Sequence, residues 1–293
     1  MGWKIIEIET AERLKLFIGN LLIFKNDQKY TIPLNDIDVL LLDNLYVTLS
    51  QQLIAELSLR NILVICCDKK HVPCALILPI SGNYNSLKIL QKQFKWTEAQ
   101  KGEYWQKNIS LKIFQQATLL KYFQFTNESK ILISYANEVL FYDKSNREGH
   151  ASKLYWSTLF GNKFSRDDEL NPINHLLNFG YAILLSYVAK SCVKFGLDMR
   201  VAVFHKSFSN HFALATDLME IFRTIVDCCI YKIINKSNIK MLSPDIKRNL
   251  IELFTKQVNI DAQKVYISRA IDLYVTNFLL FKILIIQCNY DEY

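Results

Sequence analysis

The chain is poor in the residues that break structure and in the spacings that mark common chemistries. Among 293 residues there are 8 glycines and 5 prolines, too few for a collagen-like or low-complexity protein. Its seven cysteines, at 66, 67, 74, 192, 228, 229 and 288, form no Cys-x-x-Cys, and two pairs are directly adjacent. Neither a zinc ribbon nor a disulfide framework is indicated, and reduced, buried thiols are expected. There is no glycine-rich phosphate loop, no His-Glu-x-x-His and no Gly-x-Ser-x-Gly, which disfavours a P-loop NTPase, a zincin and an α/β-hydrolase. The apolar run at residues 278–288 is interrupted by Lys282 and is far short of the roughly 20 residues a membrane span needs. The start, Met1-Gly2-Trp3-Lys4-Ile5, lacks signal-peptide architecture. A soluble cytoplasmic protein without a membrane partner is expected.

What is present is a large apolar fraction, 51%, and a basic excess of 35 Lys and Arg over 28 Asp and Glu. The first predicts a substantial core; the second is compatible with a face for phosphate, though such an excess also occurs without one. Residues 4–8, 14–18, 21–24, 29–33, 37–42, 63–68 and 75–79 read as short strands, separated by turn formers such as Gly19-Asn20 and Asn26-Asp27. Residues 48–60 have helical spacing, with Thr48 or Ser50 as candidate caps. The clearest break is Ser81-Gly82-Asn83-Tyr84-Asn85. Beyond it helices are predicted over 97–125, 148–160, 173–195, 212–235, 243–257 and 265–288. The expected architecture is α+β, because the elements are segregated: a small β-rich N-terminal domain (1–80), a linker (81–96) and a larger all-α C-terminal domain (97–293).

Three distant stretches carry the chemistry-bearing residues. Asp217, Glu220 and Arg223 are three apart and share one helix face. Such a stripe is commonly a solvated face, yet Leu214, Leu218, Ile221, Phe222 and Ile225 leave little of this helix free for water, and buried carboxylates need a partner or a cation. Arg223 could pair with Asp217 along the helix. His205 ends the run Val201-Ala202-Val203-Phe204, read as a strand; it either satisfies a local hydrogen bond or serves as a ligand. Glu148 falls in the first turn of a helix with Asn146 as candidate cap, where an acid also simply complements the dipole. Together they supply two or three carboxylates and an imidazole, a ligand set for one divalent metal.

Taken together the stretches resemble a known family. Glu148-Gly149-x-Ala151 followed by Tyr155-Trp156, the asparagine-rich run from Arg166-Asp167 through Asn171, Asn174 and Asn178 to Gly180-Tyr181, and Gly196-Leu197-Asp198 leading to His205 and then Asp217 through Arg223, resemble in order and spacing the three signatures of the CRISPR-associated integrase, the spacer-acquisition enzyme. The opening Met1-Gly2-Trp3-Lys4 and the length look most like the type II version. Ala202, Ile221 and Thr224 stand where the family usually has glycine, proline and proline. The resemblance implies a metal-dependent DNA endonuclease and integrase that inserts short DNA fragments into a CRISPR repeat by 3′-hydroxyl transesterification, in antiviral defence. It implies Glu148, His205 and Glu220 as metal ligands, with Asp217 at an acidic position beside them. Oxygen-rich ligation favours Mg²⁺ or Mn²⁺, the imidazole tilting toward Mn²⁺. The implied partners are double-stranded DNA, both spacer precursor and repeat, a second copy of the chain, and a small ferredoxin-like companion. The RNA-guided effector nuclease and an end-binding accessory protein are further candidates. Lys206, Arg223, Arg166 and Arg147 flank the signatures and are expected to hold phosphates. Plain nuclease activity, or DNA binding without catalysis, are the alternatives. Replacing Glu220 with Ala is expected to abolish joining with little loss of stability.

Overall fold

The computed structural model describes residues 2, 4–80, 82–205, 210–236 and 242–293. The N-terminal region holds β1 (Lys4–Ile8), β2 (Arg13–Phe17), β3 (Asn20–Lys25), β4 (Gln28–Pro33), β5 (Ile37–Leu42), β6 (Thr48–Leu49), α1 (Gln51–Leu59), β7 (Leu63–Cys67) and β8 (Pro73–Ile77). They form two four-stranded sheets, ordered β1-β5-β7-β8 and β4-β3-β2-β6. The expected strands are present, and Ser50 caps α1, its Oγ accepting from the Leu53 amide. The first sheet nonetheless contains parallel pairs, β1 with β5 and β5 with β7. Alternation along a strand cannot distinguish parallel from antiparallel neighbours when both faces are covered.

Both faces of that sheet are covered. Val39, Leu41, Leu63 and Ile65 point into the main core with the helices. Leu40, Leu42 and Val64, one residue out of phase, join Leu14 and Leu21 of the second sheet and Leu53 and Leu57 of α1. Buried ion pairs add to the junction: Lys190 Nζ lies 2.6 Å from Asp38 Oδ1, and Lys247 Nζ 2.7 Å from Asp43 Oδ2.

The rest is mainly helical, giving the α+β class expected: α2 (Ser86–Gln93), α3 (Glu98–Tyr122), α4 (Thr126–Asn137), α5 (Arg147–Phe160), α6 (Pro172–Lys194), α7 (Ala213–Met219), α8 (Arg223–Lys236) and α9 (Pro244–Glu252). There follow β9 (Gln257–Ile260), β10 (Gln263–Tyr266), α10 (Ile267–Phe278) and β11 (Ile286–Cys288). Helix α2 lies within the segment expected as linker. The helix expected over 265–288 is corrected: it is strand, helix and strand, with β11 pairing antiparallel to β9. Apolar residues there satisfy helical and strand spacing alike, and sheet pairing decides. Helix α6 is long and apolar enough to cross a membrane, but it is mostly buried within the protein and is its central core helix. Gly180 on α6 lets α8 come close, since a Cβ there would lie 2.5 Å from Val226 Cγ1.

Candidate metal centre

Helix α5 delivers Glu148. Asn146 has left-handed backbone (φ 50°) but its side chain makes no capping bond. Asp143 does that work instead: its carboxylate accepts from the amides of Arg147 at 2.8 Å and Glu148 at 3.0 Å. A Cβ on Gly149 would lie 2.6 Å from Asn146 Oδ1, so the glycine after Glu148 makes room for the entering loop. The Glu148 carboxylate is partly exposed and accepts from Lys112 Nζ of α3.

His205 arrives differently from the expectation. Residues 201–205 form no strand; the amides of 203–205 bind a carboxylate rather than a neighbouring strand. Asp217 of α7, wholly buried, accepts from the amides of Val203 at 2.8 Å and Phe204 at 2.9 Å through Oδ2. Its Oδ1 accepts from His205 N at 3.3 Å and pairs with His205 Nδ1 at 2.5 Å. With the Nδ1 proton committed to Asp217, Nε2 is left with the lone pair a metal would use. That bond, opposed by partial burial, raises the imidazole above its usual pKa. The Phe204 ring stacks on Trp105 of α3 at 4.4 Å. Asn108, one turn on, donates to the Asp217 carbonyl at 3.1 Å and accepts from Tyr274 at 2.7 Å. Asp217 therefore orients the histidine with both oxygens occupied, and it does not pair with Arg223.

Glu220 begins a 3-10 turn, Glu220–Phe222, that joins α7 to α8. Its side chain is only 3% exposed, with Oε2 2.5 Å from Lys112 Nζ and Oε1 2.9 Å from Arg223 Nη2. Burial pushes this carboxyl up, but Arg223 and Lys112 outweigh it and hold it below the ordinary carboxylate value. Burial disfavours the Lys112 charge, yet Glu220 and Glu148 together raise its pKa. Despite its closeness to Lys112, Glu220 Oε2 makes no well-formed hydrogen bond.

Glu148 and Glu220 thus meet at Lys112, a residue the sequence reading passed over, and His205 lies near enough for both carboxylates to raise its pKa. The available signal was a lysine on the apolar face of α3, three and seven residues after Ile109 and Trp105. Two carboxylates, one with a buried oxygen lacking a proper hydrogen bond, and an imidazole with Nδ1 fixed suit a divalent cation in donor chemistry. Among the described residues, the group of three such side chains with ligand atoms all within 4.8 Å is a different one, Glu7, Glu9 and Asp43. There Asp43 is already held by Lys247 and by His71, 2.8 Å away. Glu148, His205 and Glu220 stand wider apart, with the Lys112 ammonium between the two glutamates.

The expected phosphate contacts divide. Arg166 and Arg223 line a cavity of about 240 Å³ beside Glu220, together with Lys112, Gln116 and Asp227. Arg166 is held by Asn174 at 2.5 Å and Asn178 at 2.9 Å, which accounts for the asparagine-rich signature. Arg147 instead pairs with Glu138 at 2.6 Å and sits over the Tyr135 ring. Lys206 lies outside the described residues. On the cavity wall, buried Asp227 accepts from Tyr155 at 2.8 Å and from Tyr181; burial raises its pKa to about 6.

The family model described as CRISPR associated protein Cas1 matches residues 8–258. The CRISPR-associated endonuclease Cas1 of Neisseria meningitidis serogroup C (strain 8013) is 33% identical over 279 residues, covering 95% of this chain and 91% of the relative. Among solved structures, a casposase bound to integration product superimposes with a TM-score of 0.76 at 21% identity, covering 96% of this chain and 90% of that one. A Cas6-RT-Cas1–Cas2 complex gives 0.72 at 21% identity, covering 94% of this chain and 34% of the other. The chain belongs to the CRISPR-associated Cas1 family.

Proposed function

We propose that the protein is a metal-dependent DNA endonuclease and integrase of CRISPR adaptation, which joins the 3′-hydroxyl ends of short DNA duplexes to a repeat. The observation that carries this reading is that Glu148 and Glu220, from separate segments, share Lys112, with the Asp217-held His205 close enough to feel both carboxylates. In this reading the two carboxylates and His205 Nε2 hold Mg²⁺ or Mn²⁺, and Asp217 keeps the imidazole ring oriented. When bound, such an ion supplies charge neutralisation at the phosphate and a lowered pKa for the attacking hydroxyl. Arg166 and Arg223 bring positive charge to the neighbouring cavity and position the strand. The related structures include a casposase bound to integration product and a Cas6-RT-Cas1–Cas2 complex. These support DNA and a Cas2-like companion as partners.

The first 80 residues serve in this reading as the interface of a homodimer, because two fragment ends must be joined at two phosphates. One assay tests the function: protein, Mn²⁺, a repeat-bearing plasmid and short duplexes with free 3′-hydroxyls. Joined products are expected. Cleavage without joining would indicate a plain nuclease, and binding alone a non-catalytic subunit.

A further inference from the structure

We propose that Lys112 is a built-in counter-cation that holds the metal-free centre together and withdraws toward Gln116 when the divalent ion enters. The proposal rests on the metal-site reading and adds to it a second position for one side chain. Lys112 is buried, yet its ammonium reaches both Glu148 and Glu220. With Arg223 on the other oxygen of Glu220, two carboxylates face two cations. Without Lys112 two carboxylates in a partly dry pocket would repel one another. With it, a divalent cation arriving between them meets a resident positive charge.

The cavity beside Glu220 provides the exit. Gln116 is one helical turn beyond Lys112 on α3, close enough for the two side chains to meet. Its Oε1 is buried and has no hydrogen-bond partner, an arrangement that ordinarily costs stability. Lys112 and Gln116 line the same cavity of about 240 Å³. An ammonium displaced from the glutamates therefore finds a waiting acceptor without leaving the protein. Lys112 acts on the ion through the glutamates and is a positioning residue.

The test is Mn²⁺ binding to the metal-free, full-length protein, followed by electron paramagnetic resonance or calorimetry, with thermal melting in EDTA and in Mn²⁺. Lys112→Met should melt lower than wild type in EDTA and bind Mn²⁺ at least about tenfold more tightly, since one close like charge is removed. Its Mn²⁺-induced rise in melting temperature should exceed that of wild type. Gln116→Leu should melt no lower than wild type in EDTA but bind Mn²⁺ severalfold more weakly, and this arm stands even if the first variant fails to fold. Equal or weaker Mn²⁺ binding by Lys112→Met overturns the counter-cation, and unchanged binding by Gln116→Leu overturns the second position. Glu220→Gln separates the two levels: if wild type does not bind Mn²⁺, or this variant binds it equally well, the metal site itself is misassigned.

Discussion

At Glu220 the structure reverses an expectation about stability. Its removal strands Arg223 and takes from Lys112 one of its two carboxylates, around a side chain that is 3% exposed. Breaking a buried pair from one side costs about 3–5 kcal/mol, so Glu220→Ala should unfold in less urea as well as lose joining. Pairing Glu220→Gln with Lys112→Met should cost less than the sum of the two changes, because the second removes a cation that the first has deprived of a partner. Additive losses would show that the two side chains are energetically independent. Asp217 makes a separate prediction. Asp217→Asn puts an amide NH₂ where an oxygen accepts N–H groups of 203–205. It should cost about 2–3 kcal/mol and weaken Mn²⁺ binding about 10- to 100-fold, both measurable without DNA. The acids and the histidine were legible in sequence because they sit in recognisable surroundings. Lys112 was not, because a lysine within an apolar helix looks like any snorkelling side chain until the fold brings the glutamates over it.

At the scale of elements, α8 carries a pH-sensitive group on the wall of the cavity beside Glu220. Burial raises Asp227 to about 6, above the unfolded value near 3.9. The folded state therefore holds a proton that the unfolded chain has released. Its contribution is full below about pH 4 and is lost as pH rises through about 6, a loss of about 3 kcal/mol. Urea unfolding of wild type and Asp227→Asn across pH 4–7 should differ in slope, the variant lacking this decline; parallel profiles would refute it. Packing of α6 on α8 gives another element-level test. Gly180→Ala forces a Cβ to 2.5 Å from Val226 Cγ1 and should destabilise by about 1–3 kcal/mol, read as a lower melting temperature. Seven of the first eight strands and the main helices could be anticipated because apolar spacing and local caps agree there; β6, at Thr48–Leu49, fell inside a stretch read as helix. The stretch at 201–205 could not, since its strand-like composition is overridden by one carboxylate 12 to 14 residues away in sequence. The last helix was over-extended for a related reason: β11 exists only through pairing with β9.

For the whole molecule, the proposed pairing of two copies predicts twice the chain mass by light scattering at micromolar concentration; a strictly monomeric mass would refute it. Ile18 and Tyr46 in the β-rich region are large and strongly exposed, surfaces a second subunit could cover. The logarithm of affinity for duplex DNA should fall linearly with log salt, with a slope of about 0.9 for each phosphate neutralised. Removing charge at Arg166 and Arg223, which line the cavity beside Glu220, should flatten that slope more than at Arg147, which does not line it. An equal effect from Arg147 would place the DNA face elsewhere.

The sheet shared between the two cores carries a consequence for descent and design. Strand β5 is buried along its full length, with alternate residues in different cores. A chimera cut at residue 80 therefore transplants one wall of the helical core along with the front of the protein. Unless the donor supplies matching partners for Val39, Leu41, Leu63 and Ile65, the exchange leaves holes or clashes beneath α6. Front and back cannot be shuffled among relatives as cassettes. Substitutions selected on one side of this single layer must be answered on the other, so the surface and the chemistry inherit their history together.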